Sequence, residues 1–451
     1  MDAPLGAASA VAEAFVARAG TKAVKIGIIG LGYVGLPLAR AACGNGFQVT
    51  GFDIDPAKVD LLNAGGSYIK QIEPTVIADM VASGRFTATA DFDRLADADA
   101  ILVCVPTPLG KHREPDLSFI ERTAEAIATQ LRPGQLVVLE STTYPGTTRE
   151  VMRPILERSG LQSGRDFFLA YSPEREDPGN AEFGTSSIPR VVGGDGADAL
   201  AMAVALYREI VVQVVPVSSP DTAEAVKLTE NIFRSVNIAL VNELKVVYAA
   251  MGIDIWEVIE AAKSKPFGFM PFYPGPGLGG HCIPIDPFYL TWKDREHEIS
   301  TRFIELAGEV NAAMPGYVVE RLAAALDAQR GRGLNGARVL LLGIAYKRNV
   351  DDQRESPGLR LIELLEARGV IVGYHDPWIP EIRPTRDHPK LTGRISVQLT
   401  PETLASHDAV LVVTDHDAVD YKLVADHARL VIDTRNVFGR LGLTDASIVK
   451  A

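Results

Sequence analysis

The feature that most restricts the fold is a glycine motif, Gly-Leu-Gly-Tyr-Val-Gly, between a short apolar segment and a helical pattern. The apolar segment begins at Val24 and is typical of a buried parallel strand, and the helical pattern runs from Leu36 to Asn45. Glycines at this junction allow a tight turn and let a pyrophosphate approach the N-terminus of the helix. A second strand, Phe47 to Phe52, ends at Asp53, whose carboxylate can bind ribose hydroxyls and repel a 2′-phosphate. The sequence therefore predicts a Rossmann-like domain that binds NAD in preference to NADP.

Polar turns follow three further predicted strands of this first domain. The strands are Ala100 to Val105, Leu136 to Leu139 and Phe167 to Tyr171. Because doubly wound sheets bind ligands at the carboxyl ends of their strands, Thr107, Thr142 and Glu174 are candidate site residues. Each of them could instead cap the helix that follows, and for any one alone that interpretation is the stronger. The candidate cofactor residues of the domain are Gly30, Gly32, Tyr33, Val34, Gly35, Asp53, Lys58 and Thr107.

A loop rich in glycine and proline, residues 273–287, carries a cysteine. Its four glycines and four prolines exclude an ordinary helix or strand. Cys282 lies within it, and Asp286 follows four residues later. A thiolate held on a rigid loop is well suited to attack a substrate. On this stretch alone, a buried structural cysteine is an equally good interpretation.

A long helical pattern begins near Ser218 and continues to about Gly252. Its length favours a connector between domains or the core of a homodimer or higher homo-oligomer. Lys227 and Asn231 are four residues apart and share one helix face. Without other information, however, we favour a solvated ion pair between Glu224 and Lys227.

The last third predicts a second strand–helix–strand domain. Its first strand is Arg338 to Leu342, and it lacks the glycine motif, so we expect no second dinucleotide. The turn after this strand carries Lys347, Arg348 and Arg354, cations suited to a pyrophosphate. A solvated basic turn is an equally good interpretation of these residues.

At 451 residues the chain is too long for one hydrophobic core. We predict an α/β fold with two Rossmann-like doubly wound domains joined by a central domain built on a long helix. The predicted parts are a frayed or helical extension (1–23), an NAD-binding domain (24–217), a central helical dimerisation domain with the cysteine loop (218–329) and a C-terminal domain (330–451).

Composition excludes several classes of function. The formal charge is −12 with no basic run, so we expect no nucleic-acid partner. Cys43, Cys104 and Cys282 are isolated, which argues against a metal site or a disulfide framework and favours the cytoplasm. We interpret Cys43 and Cys104 as core residues. No apolar run is long enough to span a membrane, and the N-terminus lacks the basic leader of a signal peptide.

Four motifs in this order resemble the UDP-glucose/GDP-mannose dehydrogenase family from about Val24 to the C-terminus. They are Gly-Leu-Gly-Tyr-Val-Gly, Ala-Glu-Ala-Val-Lys-Leu-Thr-Glu-Asn, Gly-Gly-His-Cys-Ile-Pro-Ile-Asp and Ala-Tyr-Lys-Arg-Asn-Val-Asp-Asp-Gln-Arg-Glu-Ser-Pro. The resemblance implies oxidation of a nucleotide sugar at C6 to a carboxylate, with two NAD⁺ reduced per sugar.

The resemblance also implies catalytic roles. Cys282 would attack the aldehyde formed in the first oxidation to give a thiohemiacetal, and the second oxidation would give a thioester that water hydrolyses. Lys227 and Asn231 would stabilise the developing oxyanion. The remaining roles fall to Asp286 and Thr142, which would hold the water or proton-transfer partner, and to Glu174, which would assist hydrolysis.

Binding residues follow from the same resemblance. The residues implied to bind a UDP-sugar are Tyr273, Gly275, Gly279, Tyr346 and Lys347, of which the last two belong to the C-terminal domain. Arg354 would approach the NAD. His281 has no role in the family pattern.

Two segments depart from the UDP-glucose branch of the family. The turn after Glu174 has Arg175 and Pro178 where that branch has Phe and Glu, and the segment from Lys265 lacks the arginine that precedes the cysteine loop there. Both departures resemble the branch that oxidises UDP-N-acetylhexosamines for surface-polysaccharide synthesis. We therefore expect UDP-N-acetylglucosamine as substrate, with UDP-N-acetylmannosamine or UDP-glucose as alternatives.

The alternative from a different class of function is a non-catalytic scaffold protein that binds NAD. Such a scaffold would need none of Cys282, Lys227, Asn231 and Asp286, so their joint presence argues against it.

Overall fold

In the computed structural model, residues 9–70, 72–110, 114–175, 187–280, 282–385 and 387–451 are described. The chain divides into two compact units. The first comprises Met1–Glu230 and Tyr289–Ile299, and the second comprises Asn231–Phe288 and Ser300–Ala451. Each unit contains one sheet, which confirms the predicted α/β fold class. The division at residues 217 and 329 stays a prediction.

The sheet of the first unit has eight strands in the order β3-β2-β1-β4-β5-β6-β7-β8. Only the pairing of β6 with β7 is antiparallel among the described pairs. The strand order reverses between β1 and β4, the point where such sheets bind nucleotides. The strands are β1 Lys25–Ile29, β2 Gln48–Phe52, β3 Phe86–Thr89, β4 Ala100–Val103, β5 Leu136–Leu139, β6 Phe168–Tyr171, β7 Arg190–Gly194 and β8 Val214–Val217.

Helices cover both faces of this sheet, as the alternation of strand and helix predicts. They are α1 Ala10–Gly20, α2 Gly35–Gly44, α3 Pro56–Asn63, α4 Pro74–Ala82, α5 Ser118–Gln130, α6 Arg153–Leu156 and α7 Ala197–Arg208. Sequence alone left the N-terminal extension as frayed or helical. Its described part is α1, which buries Phe15 among core residues and packs on α7.

Two long helices dominate the middle of the chain. Helix α8, Pro220–Ala250, lies within the predicted bounds and is about two residues shorter at each end, and α9 and α10 follow at Ile255–Lys263 and Asp286–Lys293. Helix α11, Arg302–Arg330, contains the buried Pro315.

The sheet of the second unit has five parallel strands in the order β10-β9-β11-β12-β13. They are β9 Arg338–Leu342, β10 Ile371–His375, β11 Ala409–Val412, β12 Val431–Asp433 and β13 Ile448–Lys450. The associated helices are α12 Pro357–Glu366, α13 Pro401–Ala405, α14 Tyr421–His427 and α15 Val437–Arg440. Continuous apolar runs fill β9 and β11, whose side chains form the core on both faces of the sheet.

Candidate active site

The glycine motif between β1 and α2 has the backbone geometry that a dinucleotide requires. Gly30 has φ +89°, and a Cβ there would collide with the carbonyl oxygen of Cys104. A Cβ on Gly35 would collide with the carbonyl oxygen of Gly30, so glycine allows α2 to pack closely on the strand. A Cβ on Gly32 would meet open space, so the backbone there is accessible to a ligand. Tyr33 and Val34 complete this turn, and α2 begins directly after Val34.

Asp53 lies at the carboxyl end of β2, where a ribose-binding acid is expected. It is buried, and its Oδ2 accepts a hydrogen bond of 3.2 Å from the backbone N of Leu31. Its Oδ1 accepts one of 3.0 Å from Asp55 N, and Lys58 Nζ lies 3.9 Å from Oδ2. The carboxylate is therefore fixed beside the glycine turn. These residues fit the adenosine ribose and pyrophosphate of NAD.

The other two strand ends present a threonine each. Thr107, after β4, is buried, and its carbonyl oxygen accepts a hydrogen bond from the hydroxyl of Tyr289. Thr142 follows β5 by three residues and is partly exposed. Neither residue is the N-cap of a helix, so the capping interpretation is wrong for both.

Glu174 and Lys227 are joined within the first unit. The ammonium of Lys227 donates a hydrogen bond to the backbone carbonyl of Glu174. The carboxylate of Glu174 accepts from its neighbour Arg175 N at 2.6 Å and from Arg190 NH1 at 3.2 Å. Lys227 is buried, so the position of its charge is fixed by this turn.

The expected solvated ion pair between Glu224 and Lys227 is wrong. Glu224 is fully buried and accepts hydrogen bonds from Gly146 N at 2.6 Å and from Thr148 N at 2.9 Å. The hydroxyl of Thr148 donates a third, at 2.6 Å. Burial raises the pKa of Glu224 to about 7, although these hydrogen bonds lower it. Glu224 therefore stabilises the turn after β5. Lys227 does not pair with it and instead donates its hydrogen bond to Glu174.

Arg190 is a residue of this region that sequence reasoning missed. Its guanidinium is buried, bonds the carboxylate of Glu140, and donates 3.0 Å to Ser172 Oγ as well as reaching Glu174. The hydroxyl of Tyr207 donates to the same Glu140. The Arg190 guanidinium is thus a fixed cation in contact with the Glu174 carboxylate. The sequence feature that could have indicated this role is the arginine at the start of an otherwise apolar strand, β7.

Helix α8 buries a row of polar residues. The buried polar residues recur at helical spacing and are Glu224, Lys227, Asn231, Ser235, Asn242 and Lys245. Phe233, Leu240 and Val247 are 48%, 52% and 46% exposed and are spaced by seven residues. An apolar stripe is therefore exposed, while the buried side of the helix carries these polar residues together with Ala223, Leu228, Ala239 and Val241.

The cysteine loop of the second unit brings Asn231, Cys282 and Asp286 together. Asn231 Nδ2 donates a 2.6 Å hydrogen bond to Asp286 Oδ2, and both residues are buried. The backbone N of Asp286 donates to the carbonyl oxygen of Cys282 at 2.8 Å. Asp286 begins α10, so the loop passes from Cys282 into a helix within one turn. His281 lies outside the described residues.

Tyr346 packs against the glycines of this loop. A Cβ on Gly280, which has φ +84°, would lie 2.7 Å from the Tyr346 ring, and a Cβ on Gly279 would lie 2.7 Å from Tyr346 Cβ. Gly280 N donates to the carbonyl of Arg354 at 3.1 Å, and the Arg354 guanidinium binds Asp352 at 2.6 Å. Tyr346, Arg354 and the partly exposed Lys347 therefore belong to the same region as the cysteine loop.

The first residues of the cysteine loop, Tyr273 to Gly275, are held by contacts with other residues than Tyr346. Tyr273 is exposed, stacks on Trp256 at 5.7 Å between ring centroids, and donates a 2.6 Å hydrogen bond to Glu260. Gly275 N donates to Asn242 Oδ1 at 3.0 Å, and a Cβ on Gly275 would lie 2.6 Å from NH1 of Arg435. Asn242 and Arg435 were not predicted, although Asn242 continues the helical spacing of Lys227 and Asn231.

The second sheet repeats the turn geometry of the first, but protein groups occupy the carboxylate at its second strand end. Gly343 after β9 has φ +79°, and Asp376 after β10 is buried. Its Oδ2 accepts from Ile344 N at 2.7 Å and from Ala345 N at 2.9 Å, and His416 Nε2 lies 3.2 Å away. This carboxylate is fully engaged by protein groups and has no surface to offer a ribose.

The remaining cysteines are core residues, as predicted. Cys43 and Cys104 are buried, and burial raises the pKa of both thiols to about 12. Cys282 is partly exposed. In the described part of the chain, no group of three His, Cys, Asp or Glu side chains is arranged to hold a metal ion. No described helix is both long and apolar enough to cross a membrane.

Three domains of one protein family match consecutive parts of the chain. The NAD binding domain of the UDP-glucose/GDP-mannose dehydrogenase family matches residues 24–211. The central domain of this family matches residues 221–313, and its UDP binding domain matches residues 340–440.

Individual relatives agree with this match. UDP-N-acetyl-D-glucosamine 6-dehydrogenase from Pseudomonas aeruginosa is 38% identical over 360 residues, which cover 79% of this chain and 84% of the relative. UDP-N-acetyl-D-mannosamine dehydrogenase from Salmonella typhi is 36% identical over 432 residues, which cover 92% and 99%. The solved UDP-D-ManNAc dehydrogenase from Pyrococcus horikoshii superposes with a TM-score of 0.83 at 31% identity, covering 94% of this chain and 98% of that one. The chain therefore belongs to the UDP-glucose/GDP-mannose dehydrogenase family and is an NAD-dependent nucleotide-sugar dehydrogenase.

Proposed function

We propose that the protein oxidises the C6 hydroxyl of UDP-N-acetylglucosamine to the uronate through a covalent intermediate on Cys282. The observation that carries this proposal is the hydrogen bond between the buried side chains of Asn231 and Asp286, one helical turn after the partly exposed Cys282, whose backbone carbonyl accepts from Asp286 N. A cysteine in a merely structural turn needs neither a buried carboxylate nor a buried amide beside it.

The proposed chemistry proceeds in two oxidations, for each of which bound NAD⁺ supplies the hydride acceptor. After the first, the Cys282 thiolate adds to the C6 aldehyde and forms a thiohemiacetal. The oxyanion of this adduct requires fixed donors, and the amide of Asn231 and the ammonium of Lys227 are held on one face of α8. Loss of the second hydride leaves a thioester at Cys282.

Hydrolysis of the thioester needs a positioned water. Asp286 and Thr142 are assigned to hold the water or its proton, and Glu174 assists the attack. The guanidinium of Arg190 donates a hydrogen bond of 3.2 Å to the Glu174 carboxylate and fixes its position. Water attack releases the uronate and returns Cys282 to its thiolate.

Two features favour an N-acetylhexosamine over glucose. Arg175 directs its guanidinium to Glu230 at 3.2 Å, so its charge is neutralised within the protein and does not demand a sugar hydroxyl or anion. The segment after Lys265 presents exposed Phe267, Phe269 and Met270 instead of an arginine. An acetamido group needs space and a neutral partner more than a cation. Pro178 lies outside the described residues.

UDP-N-acetylmannosamine, the C2 epimer of UDP-N-acetylglucosamine, is the second candidate substrate. The Pseudomonas aeruginosa relative acts on UDP-N-acetyl-D-glucosamine, and the Salmonella typhi relative, at nearly the same identity, acts on UDP-N-acetyl-D-mannosamine. We favour the gluco epimer because its relative is the more identical of the two.

The test is a comparison of kcat/KM for UDP-N-acetylglucosamine, UDP-N-acetylmannosamine, UDP-N-acetylgalactosamine and UDP-glucose, with NAD⁺ saturating. We expect the highest value for UDP-N-acetylglucosamine, with two NADH formed per sugar. A preference of about tenfold or more for UDP-glucose would overturn the assignment. A preference of similar size for UDP-N-acetylmannosamine would leave the proposed chemistry unchanged and would make that sugar nucleotide the substrate.

A further inference from the structure

The turn after β5, which carries Thr142, is fixed by a side chain from a distant part of the chain, Glu224 of α8. Glu224 Oε2 accepts a hydrogen bond from Gly146 N at 2.6 Å. Its Oε1 accepts from Thr148 N at 2.9 Å and from the Thr148 hydroxyl at 2.6 Å. All three donors are neutral. The Glu224 carboxylate therefore joins the start of α8 to a turn that lies 76 residues earlier in the chain.

Hydrogen bonds within the turn connect these contacts to Thr142. Thr147 lies between the two residues that Glu224 binds, and its hydroxyl is 2.6 Å from the hydroxyl of Thr143. Thr147 N also donates to the carbonyl of Tyr144 at 3.2 Å. Thr143 and Thr147 are fully buried. Because Thr142 directly precedes Thr143, a shift of the turn at its contacts with Glu224 also moves Thr142.

Both oxygens of Glu224 act as acceptors, which requires the ionised carboxylate. A glutamine in this position has one oxygen and one NH₂ donor, and neutral glutamic acid has an O–H donor. In both cases a donor replaces an acceptor on one side of the group. A backbone hydrogen bond from Gly146 or Thr148 is then lost or weakened.

The charge of Glu224 changes within the ordinary working range of an enzyme. Burial raises its pKa to about 7, against the hydrogen bonds from the turn, which lower it. Asp221, on the same helix, raises this pKa further, and Arg149 binds Asp221 at 2.6 Å. The other charged pair at this turn is Glu150 with Lys293, at 2.8 Å. Glu224 is therefore mostly ionised above about pH 7 and mostly neutral below it.

We propose that Glu224 is a positioning residue for hydrolysis of the thioester, and that its ionised carboxylate holds the turn in the form in which Thr142 supports the attacking water. This inference rests on the proposed function, which assigns Thr142 to the water or its proton. In this step the water oxygen bonds to the thioester carbon. The carbon–sulfur bond breaks with its electron pair going to sulfur, and the two protons of the water are released. Glu224 acts on the step through the turn, and the two oxidations that precede it do not depend on this contact.

The experiment compares wild type, Glu224→Gln and the control Glu125→Gln, each as the full chain with saturating NAD⁺ and the sugar nucleotide of highest kcat/KM. The Glu125 side chain is 56% exposed. At pH 8 we expect kcat for acid formation to fall about tenfold or more in Glu224→Gln, because small displacements of a positioned group have effects of this size. The first two NADH per subunit should form at the wild-type rate. Protein stopped with acid should then carry the uronyl adduct on Cys282, which the mass of the intact protein shows.

The pH dependence separates positioning from a merely structural role. The ratio of the wild-type kcat to that of Glu224→Gln should decrease from about tenfold at pH 8 towards one at about pH 6, as Glu224 of wild type becomes neutral. Loss of folding cannot produce this result, because a raised pKa makes wild type more stable at low pH. Thr148→Val removes a hydrogen bond that lowers the pKa of Glu224, so it should move the decrease in activity to higher pH. The ratio of wild type to Glu125→Gln should stay at one.

A ratio near one at pH 8, or a large ratio that is constant from pH 6 to pH 8, would overturn the inference. Slower formation of the first two NADH in Glu224→Gln would also overturn it, because the effect would then precede hydrolysis. Should Glu224→Gln not fold, an unshifted pH profile of Thr148→Val is the contradicting result. Acid formation without an adduct in any of the proteins would refute the proposed covalent route, while the pH-dependent ratio still tests Glu224. Adduct formation with a constant ratio would refute this inference alone.

Discussion

Single polar residues in this protein are held away from water where a soluble domain would ordinarily place apolar ones. Arg190 is buried against Glu140 and Glu174, and Asp286 is buried against Asn231. Each pair needs full hydrogen bonding to offset its desolvation. The sequence allowed Cys282, Asp286, Lys227 and Asn231 to be proposed because their motifs are local. Arg190, however, acts through residues distant in the chain, and the burial that gives it a role depends on the tertiary fold.

The carboxylate of Glu224 makes stability depend on pH. Its folded pKa, about 7, lies above the ordinary value of an exposed glutamate, so its stabilising contribution is complete at low pH and is lost as pH rises through about 7. We expect the free energy of unfolding of wild type, relative to Glu224→Gln, to decrease between about pH 5 and pH 8. Urea unfolding of both proteins across this range measures the difference.

The matched control is Glu125→Gln, since the Glu125 side chain is 56% exposed and belongs to the same unit. Its difference from wild type should not vary with pH. A Glu224→Gln difference that is equally flat would contradict the raised pKa.

At the scale of elements, α8 is the clearest departure from an ordinary amphipathic helix. It buries a row of polar residues beside a few apolar ones, and it exposes the apolar residues Phe233, Leu240 and Val247. A stripe of this length on a surface helix marks an interaction site. The repeat of seven residues suits a second helix of the same kind, so we retain a homodimer built on α8 as a prediction.

Leu240→Glu tests this prediction because it places a charge in the middle of the stripe. We expect wild type to be a dimer by light scattering at micromolar concentration and the variant to be a monomer, since an unpaired charge is costly in an apolar interface. Val212→Glu is the control, because Val212 is 71% exposed and lies outside α8. A monomeric wild type, or a variant that remains a dimer, would contradict the proposal.

The elements also show which parts of a fold a sequence predicts well. Strands such as β4, β5 and β6 are continuous apolar runs, and they were predicted from the sequence. It missed β3, with its two threonines, and the three-residue β13, because pairing with distant strands determines these segments and local composition does not. It also missed β7, which begins with Arg190 and ends in two glycines.

At the scale of the whole molecule, the two sheets share a turn geometry but differ in chemistry. Gly30 and Asp53 in the first correspond in position to Gly343 and Asp376 in the second. The first sheet carries the NAD binding domain of the family, and the second carries its UDP binding domain. The glycine motif predicted NAD binding in the first half, and its absence from the second half predicted no second dinucleotide there. The UDP-sugar role of the second half was implied by the family resemblance. It could not predict that His416 and two backbone amides engage the second acid.

The central claim is that Cys282 forms the covalent intermediate of a four-electron oxidation. The most direct measurement is the rate of uronate formation from UDP-N-acetylglucosamine and NAD⁺ by Cys282→Ala, followed by chromatography of the sugar nucleotide. Retained binding of UDP serves as the check on folding. We predict that acid formation falls by at least about three orders of magnitude, because no thioester can form. Acid formation by Cys282→Ala at a near-normal rate would contradict the account.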